Sequence, residues 1–234
     1  MDWDSLGKTI SKVFHETHQK NSMSTQKRLN NVKEFFDDLV NKLKGHPEIQ
    51  EYIKEREPIN KKLKKLEQKC LKQFHEMLGE HILSASSFSA GTNLIGESDL
   101  DFNVPLIKDH ETNMNRLVEL SAICGQHGFE YAGIFSPDNP GLWHAFQKVI
   151  QGTEIEIKIR INGHFYLDVQ HKMHDYLDNK MSKEKKDTIT WIKYHFKRLS
   201  KDPSKKKYYS DFKALYYEQA LAHAGVYVMI YPLI

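Results

Sequence analysis

Phe88-Ser89-Ala90-Gly91-Thr92-Asn93-Leu94-Ile95-Gly96-Glu97-Ser98-Asp99-Leu100-Asp101-Phe102-Asn103-Val104 is the stretch from which the rest of the chain can be read. Its second half alternates polar and apolar residues. Side chains of a strand point to opposite faces in turn, so Asp99, Asp101 and Asn103 share one face and Leu100, Phe102 and Val104 the other. Two neighbouring carboxylates repel each other and resist burial. A divalent cation held by both removes that penalty, and hard oxygen ligands suit Mg²⁺ or Mn²⁺. The Gly91-Thr92 turn upstream offers backbone N–H groups of the kind that cradle phosphate. A metal beside a phosphate cradle points to nucleotide chemistry.

Working outward, the period changes at about Ser84. Before it the chain reads as helical. Ser24 is a predicted N-cap for a helix carrying Leu29, Val32, Phe36, Leu39, Val40 and Leu43, which Gly45-His46-Pro47 ends. Pro58 is read as first-turn proline of a second helix, with Ile59, Leu63, Leu66, Cys70, Phe74 and Met77 on one stripe. After Ser84 the pattern predicts strands at Ser84–Ala90, at Asp99, at Phe129–Phe135, at Thr153–Ile161 and at His164–His171. A helix over Glu111–Gln126 interrupts them. Trp143, His144 and Phe146 read as core of a short helix or as a base-stacking group. Residues 175–207 are predicted to be polar and helical in pieces, and Asp211–His223 a firmer helix stopped by Gly225. The expected fold is α+β, a mixed sheet of about five strands flanked by N- and C-terminal helices. The expected division is a helical segment 1–80, a catalytic core 81–174 and a basic, mostly helical segment 175–234.

The chain has 234 residues, enough for a real core, and 39% hydrophobic against 28% charged residues is an ordinary globular balance. No apolar run reaches membrane-spanning length, and the start, Met-Asp-Trp-Asp-Ser, lacks a secretory pattern. Cys70 and Cys124, the only cysteines, suggest reduced thiols in an intracellular, cytoplasmic protein. The net charge of +3 is unevenly spread: residues 180–207 carry eleven Lys or Arg against Glu184, Asp187 and Asp202. That block is a solvated face or an RNA-contacting patch, with Tyr194, Tyr208 and Tyr209 interleaved. The ending Val-Tyr-Val-Met-Ile-Tyr-Pro-Leu-Ile is too apolar for water, so it is expected to pack inside the domain or to make a dimer or partner contact.

The stretch from Gly91-Thr92 to Asp99-Leu100-Asp101 resembles the signature of the DNA polymerase β-like nucleotidyltransferase superfamily, which runs apolar residue, Gly, Ser or Gly, spacer, Asp-x-Asp. Thr92 stands where Ser or Gly is usual, and the spacer is short. The resemblance covers about Phe74–Gln170 and implies an enzyme using two Mg²⁺ or Mn²⁺ ions to move a nucleoside monophosphate from a nucleoside triphosphate to a hydroxyl, releasing pyrophosphate. It implies metal ligands at Asp99 and Asp101 and nucleotide contacts from Gly91, Thr92, Ser98 and Lys158.

It also implies a third carboxylate on a later strand. Asp168 is the choice, with Glu154 and Glu156 as rivals. A three-residue connection at Asn162-Gly163 would pair Lys158 with Asp168 and keep every apolar residue on one face, whereas a two-residue turn would not. Lys158 then balances carboxylate charge, touches a phosphate or pairs with Asp168. An RNA 3′ end is the acceptor that fits the basic segment. A cyclic or linear oligonucleotide synthase and a catalytically silent nucleic-acid- or protein-binding module are the alternatives. No Walker A sequence and no helix-hairpin-helix glycine pattern is present.

Overall fold

A computed structural model describes residues 1–19, 24–84, 90–94, 99–105, 110–134, 143–162 and 172–227. The chain divides into two compact units, residues 57–167 and residues 1–56 with 168–234. Residues 1–56 and the C-terminal segment therefore belong to one unit, whereas residues 57–80, expected as part of the N-terminal segment, belong with the sheet to the other.

The sheet unit contains β1 (Leu83–Ser84), β2 (Asp99–Pro105), β3 (Glu130–Ile134), β4 (Trp143–Val149) and β5 (Glu156–Asn162), in the order β1-β2-β5-β4-β3. Strands β2 and β5 are parallel, and the remaining pairs are antiparallel. The α+β class and the mixed sheet of about five strands agree with the sequence reading, which has no strand at Trp143–Val149. Trp143–Val149 is a strand, β4, and not a short helix. Its Phe146 pairs with Ile159 of β5 on one side and Tyr131 of β3 on the other, so ladder pairing on both sides sets the strand. The strand expected at His164–His171 lies outside the described residues.

The apolar face of the sheet explains its register. Leu100, Phe102 and Val104 of β2 and Ile157, Ile159 and Ile161 of β5 are all buried and lie side by side. Helix α4 (His110–Gln126) contributes Leu117, Leu120 and Cys124 to the same cluster, and Cys70, Phe74 and Leu78 come from α3 (Pro47–Leu78). The Phe74 ring meets Phe102 edge-on at 5.1 Å and Phe129 at 5.6 Å. Burial pushes the Cys124 thiol up to about 11, which makes it a small core hydrophobe and not a reactive thiolate.

Pro58 is not at a helix start. Helix α3 begins at Pro47 and runs through Pro58 to Leu78. A proline inside a helix removes one backbone bond, and the division between the units falls beside it, at Arg56/Glu57.

The helical unit is built from α1 (Trp3–Gln19), α2 (Thr25–Leu43), the start of α3, α5 (Lys183–Leu199) and α6 (Lys206–His223). Ser24 caps α2 as expected, its hydroxyl accepting from the Lys27 N–H. Residues 176–180 form a π turn and 203–205 a 3₁₀ turn, in line with a segment helical in pieces. Its polarity is only superficial, because Ile189, Trp191, Ile192 and Phe196 of α5 are fully buried.

Helices α1 and α6 run parallel, joined at three levels. Ser11 donates to Asp211 at 2.5 Å and His18 lies 2.9 Å from Glu218. At the third level, a Cβ on Gly7 would sit 2.4 Å from the Tyr208 ring. Gly7→Ala should therefore destabilise the protein by about 1–2 kcal/mol despite alanine's better helix propensity, read as a lower urea midpoint.

His195 stacks on Trp3 at 4.0 Å and meets Trp191 edge-on at 5.1 Å. Burial depresses it to about 4, with Arg198, the chain N-terminus and His46 adding to the effect and Glu48 opposing it. Its folded value is thus below the unfolded one near 6.5, so the unfolded chain takes up the proton first as pH falls. The stability it supports is complete above about pH 6.5 and is lost on descending towards pH 4. Discounting for partial exposure, urea titrations at pH 7 and 5 should differ by about 1 kcal/mol more in wild type than in His195→Phe.

Candidate active site

The polar face of β2 and β5 assembles the site because the two strands are parallel and in register. Asp99 lies opposite Glu156, Asp101 opposite Lys158 and Asn103 opposite Arg160. Residues paired across parallel strands point to the same side, so three carboxylates, an amide and two cations share one surface. The row continues on β4, where Gln147 pairs with Lys158 and Ala145 with Arg160.

The charges are interlocked. Arg160 Nη2 donates to Asp101 Oδ1 at 2.8 Å, and Lys158 Nζ pairs with Glu156 Oε1, also at 2.8 Å. Asp101 and Arg160 are 22% and 18% exposed at the side chain, so this pair is shielded more than a surface ion pair but stays within reach of solvent. Asp99, at the start of the strand, is exposed.

Upstream, Gly91 takes φ +69°, the left-handed region that a glycine occupies without strain, so the expected turn is present. Thr92, Asn93 and Leu94 after it are buried, and Asn93 donates its side-chain N–H to Asn60 of α3. The turn is therefore anchored to the helix by its side chains. Any phosphate contact would come from backbone N–H groups and not from a solvent-facing Thr92 hydroxyl.

The parallel pairing of β2 and β5 places Asp99, Asp101 and Lys158 on one face. Glu156, the rival third carboxylate, stands in register with Asp99, while Glu154 is exposed and precedes β5. Asp168 and Ser98 lie outside the described residues, and so does the pairing of Lys158 with Asp168. Arg160 is the residue that sequence reasoning left without a role. Its signal was available, since it shares the polar row of β5 with Glu156 and Lys158.

The donor set of Asp99 and Asp101 fits Mg²⁺ or Mn²⁺, which take one or two protein carboxylates and complete their shell with water and phosphate oxygens. Any such ion would compete with Arg160 for Asp101 Oδ1. Among the described residues no group of three or more His, Cys, Asp or Glu side chains converges as a metal cage. Among the same residues no helix is long and apolar enough to cross a membrane. No family model, no curated protein and no solved structure matches the chain.

Proposed function

We infer that the protein is a metal-dependent nucleotidyltransferase that moves a nucleoside monophosphate from a nucleoside triphosphate to a hydroxyl and releases pyrophosphate. The observation that carries this reading is the shared face of Asp99 and Asp101, with Lys158 and Glu156 beside them and the Gly91 turn upstream. Asp99 and Asp101 would hold the metal ions, Asp168 or Glu156 would complete the ion that activates the acceptor, and Lys158 would meet a phosphate. Metal ions so placed polarise the transferred phosphoryl group and stabilise the leaving pyrophosphate. An RNA 3′ end is the acceptor favoured by the basic C-terminal segment, and a second nucleotide is the enzymatic alternative. The buried thiols Cys70 and Cys124 support an intracellular, cytoplasmic setting.

One observation favours a catalytically silent binding module instead. Asp101 and Glu156 already have their own cations, Arg160 and Lys158, so the acidic face is compensated without a metal. Mn²⁺ binding in the presence of a non-hydrolysable ATP analogue, followed by electron paramagnetic resonance, separates the two. An enzyme binds the ion and loses affinity by about 10-fold or more in Asp101→Asn. A silent module leaves the spectrum of the Mn²⁺–nucleotide complex unchanged in both proteins.

A further inference from the structure

The basic segment is not uniformly available to a partner. Lys185 is buried, 2.5 Å from Asp37 and 3.0 Å from His223. Lys180 pairs with Asp175, Lys186 donates to the Asp178 carbonyl, and Lys205 pairs with Asp4. The exposed cations instead gather where α5 turns into α6. Lys197, Arg198, Lys201, Lys206 and Lys207 are all exposed there, and Lys213, from the second turn of α6, reaches the same corner.

Two tyrosines hold these cations in place. Lys197 and Lys213 approach the Tyr209 ring at 5.0 and 5.8 Å, and Arg198 lies 5.6 Å from the Tyr194 ring with Nη1 donating to its hydroxyl at 3.3 Å. A base stacking on either ring would have to displace a cation already there. The tyrosines therefore present charge and are not stacking platforms. Asp202, the one acid of the turn, is directed to the backbone N–H and hydroxyl of Ser204.

The chemistry of the corner selects its partner. Among the described residues, no exposed large hydrophobic side chain lies between Tyr194 and Lys213. A membrane-binding helix needs such residues to insert, and a protein interface needs them as buried anchors. Multiple exposed cations without an apolar anchor suit a dense, regular polyanion. We propose that the α5–α6 corner is a nucleic-acid-binding surface that contacts phosphates only and does not read bases. The proposal rests on the reading of RNA as acceptor and deepens it, since it gives the binding residues and excludes base recognition by them.

Fluorescence anisotropy with labelled 20-nucleotide poly-U and poly-A RNA, without metal or nucleoside triphosphate, tests it apart from catalysis. The affinities should agree within about 3-fold, and log K should fall with log salt with a slope of roughly 3 to 4, set by the cations engaged. Lys197→Glu/Arg198→Glu should weaken binding by about 10-fold or more. Lys12→Glu/Lys54→Glu makes the same charge change on exposed lysines elsewhere in the helical unit and should have little effect. Equal losses in the two double variants, tighter binding to phosphatidylserine vesicles than to RNA, a strong base preference, or no RNA binding would each overturn the proposal. The nucleotidyltransferase reading would stand or fall separately, on turnover.

Discussion

Replacing Asp101 with asparagine should reduce nucleoside triphosphate turnover by about 10³-fold or more, a barrier increase of roughly 4 kcal/mol. The substitution keeps the shape of the side chain and its place opposite Lys158, so the strand pairing stays intact. What it removes is the negative charge that balances Arg160 and that would hold the cation of the proposed site. The variant leaves Arg160 facing a neutral amide, which lowers stability slightly but does not unfold a sheet held from its other face. Steady-state pyrophosphate release beside a denaturant titration checks both halves. A large loss of rate at nearly unchanged stability is the expected pattern, and full activity in Asp101→Asn would mean that the site is elsewhere.

The second large effect lies directly behind the carboxylates. Phe102 follows Asp101 on the same strand, points to the opposite face and is completely buried. Its ring fills the space between β2 and Phe74 of α3. Phe102→Ala should therefore lower stability by about 3–5 kcal/mol, through lost transfer free energy and the cavity left behind. Phe102→Leu keeps most of the volume and should cost about 1–1.5 kcal/mol. Because Phe102 fixes the strand that carries both aspartates, the alanine variant should also lose turnover in its folded fraction, and the leucine variant should keep it. Urea unfolding together with turnover measured below the transition would show this.

The parts of this architecture that sequence could reveal are those set by local periodicity. In β2 and β5 every second residue is an aliphatic or aromatic side chain that the structure buries, so strand, face and the neighbourhood of Asp99 and Asp101 were all visible. Helix α4 and the Ser24 cap were legible for the same reason, through a 3.6-residue stripe and a side chain that accepts from its own helix. Strand β4 was not. Ala145 and Phe146 are both buried but on opposite faces, so the alternation that announces a strand is missing, and its position depends on pairing with β5 and β3. Pro58 misled because local propensity places proline at a helix start, whereas α3 carries through it. The Asp101–Arg160 contact spans 59 residues and exists only because β2 and β5 are adjacent and parallel. No local pattern encodes that adjacency, so the place of Arg160 on the polar row of β5 was legible but its pairing with Asp101 emerged only from the fold.

The most direct test is incubation of the protein with Mg²⁺ or Mn²⁺ and each labelled nucleoside triphosphate, with and without a short RNA, beside Asp99→Ala/Asp101→Ala. Pyrophosphate should be released by the wild type alone, with label transferred to the RNA 3′ end. A small labelled product without RNA would move the acceptor to a second nucleotide. No pyrophosphate under any condition, or equal release by the double variant, would contradict the claim that Asp99 and Asp101 form a nucleotidyl-transfer site.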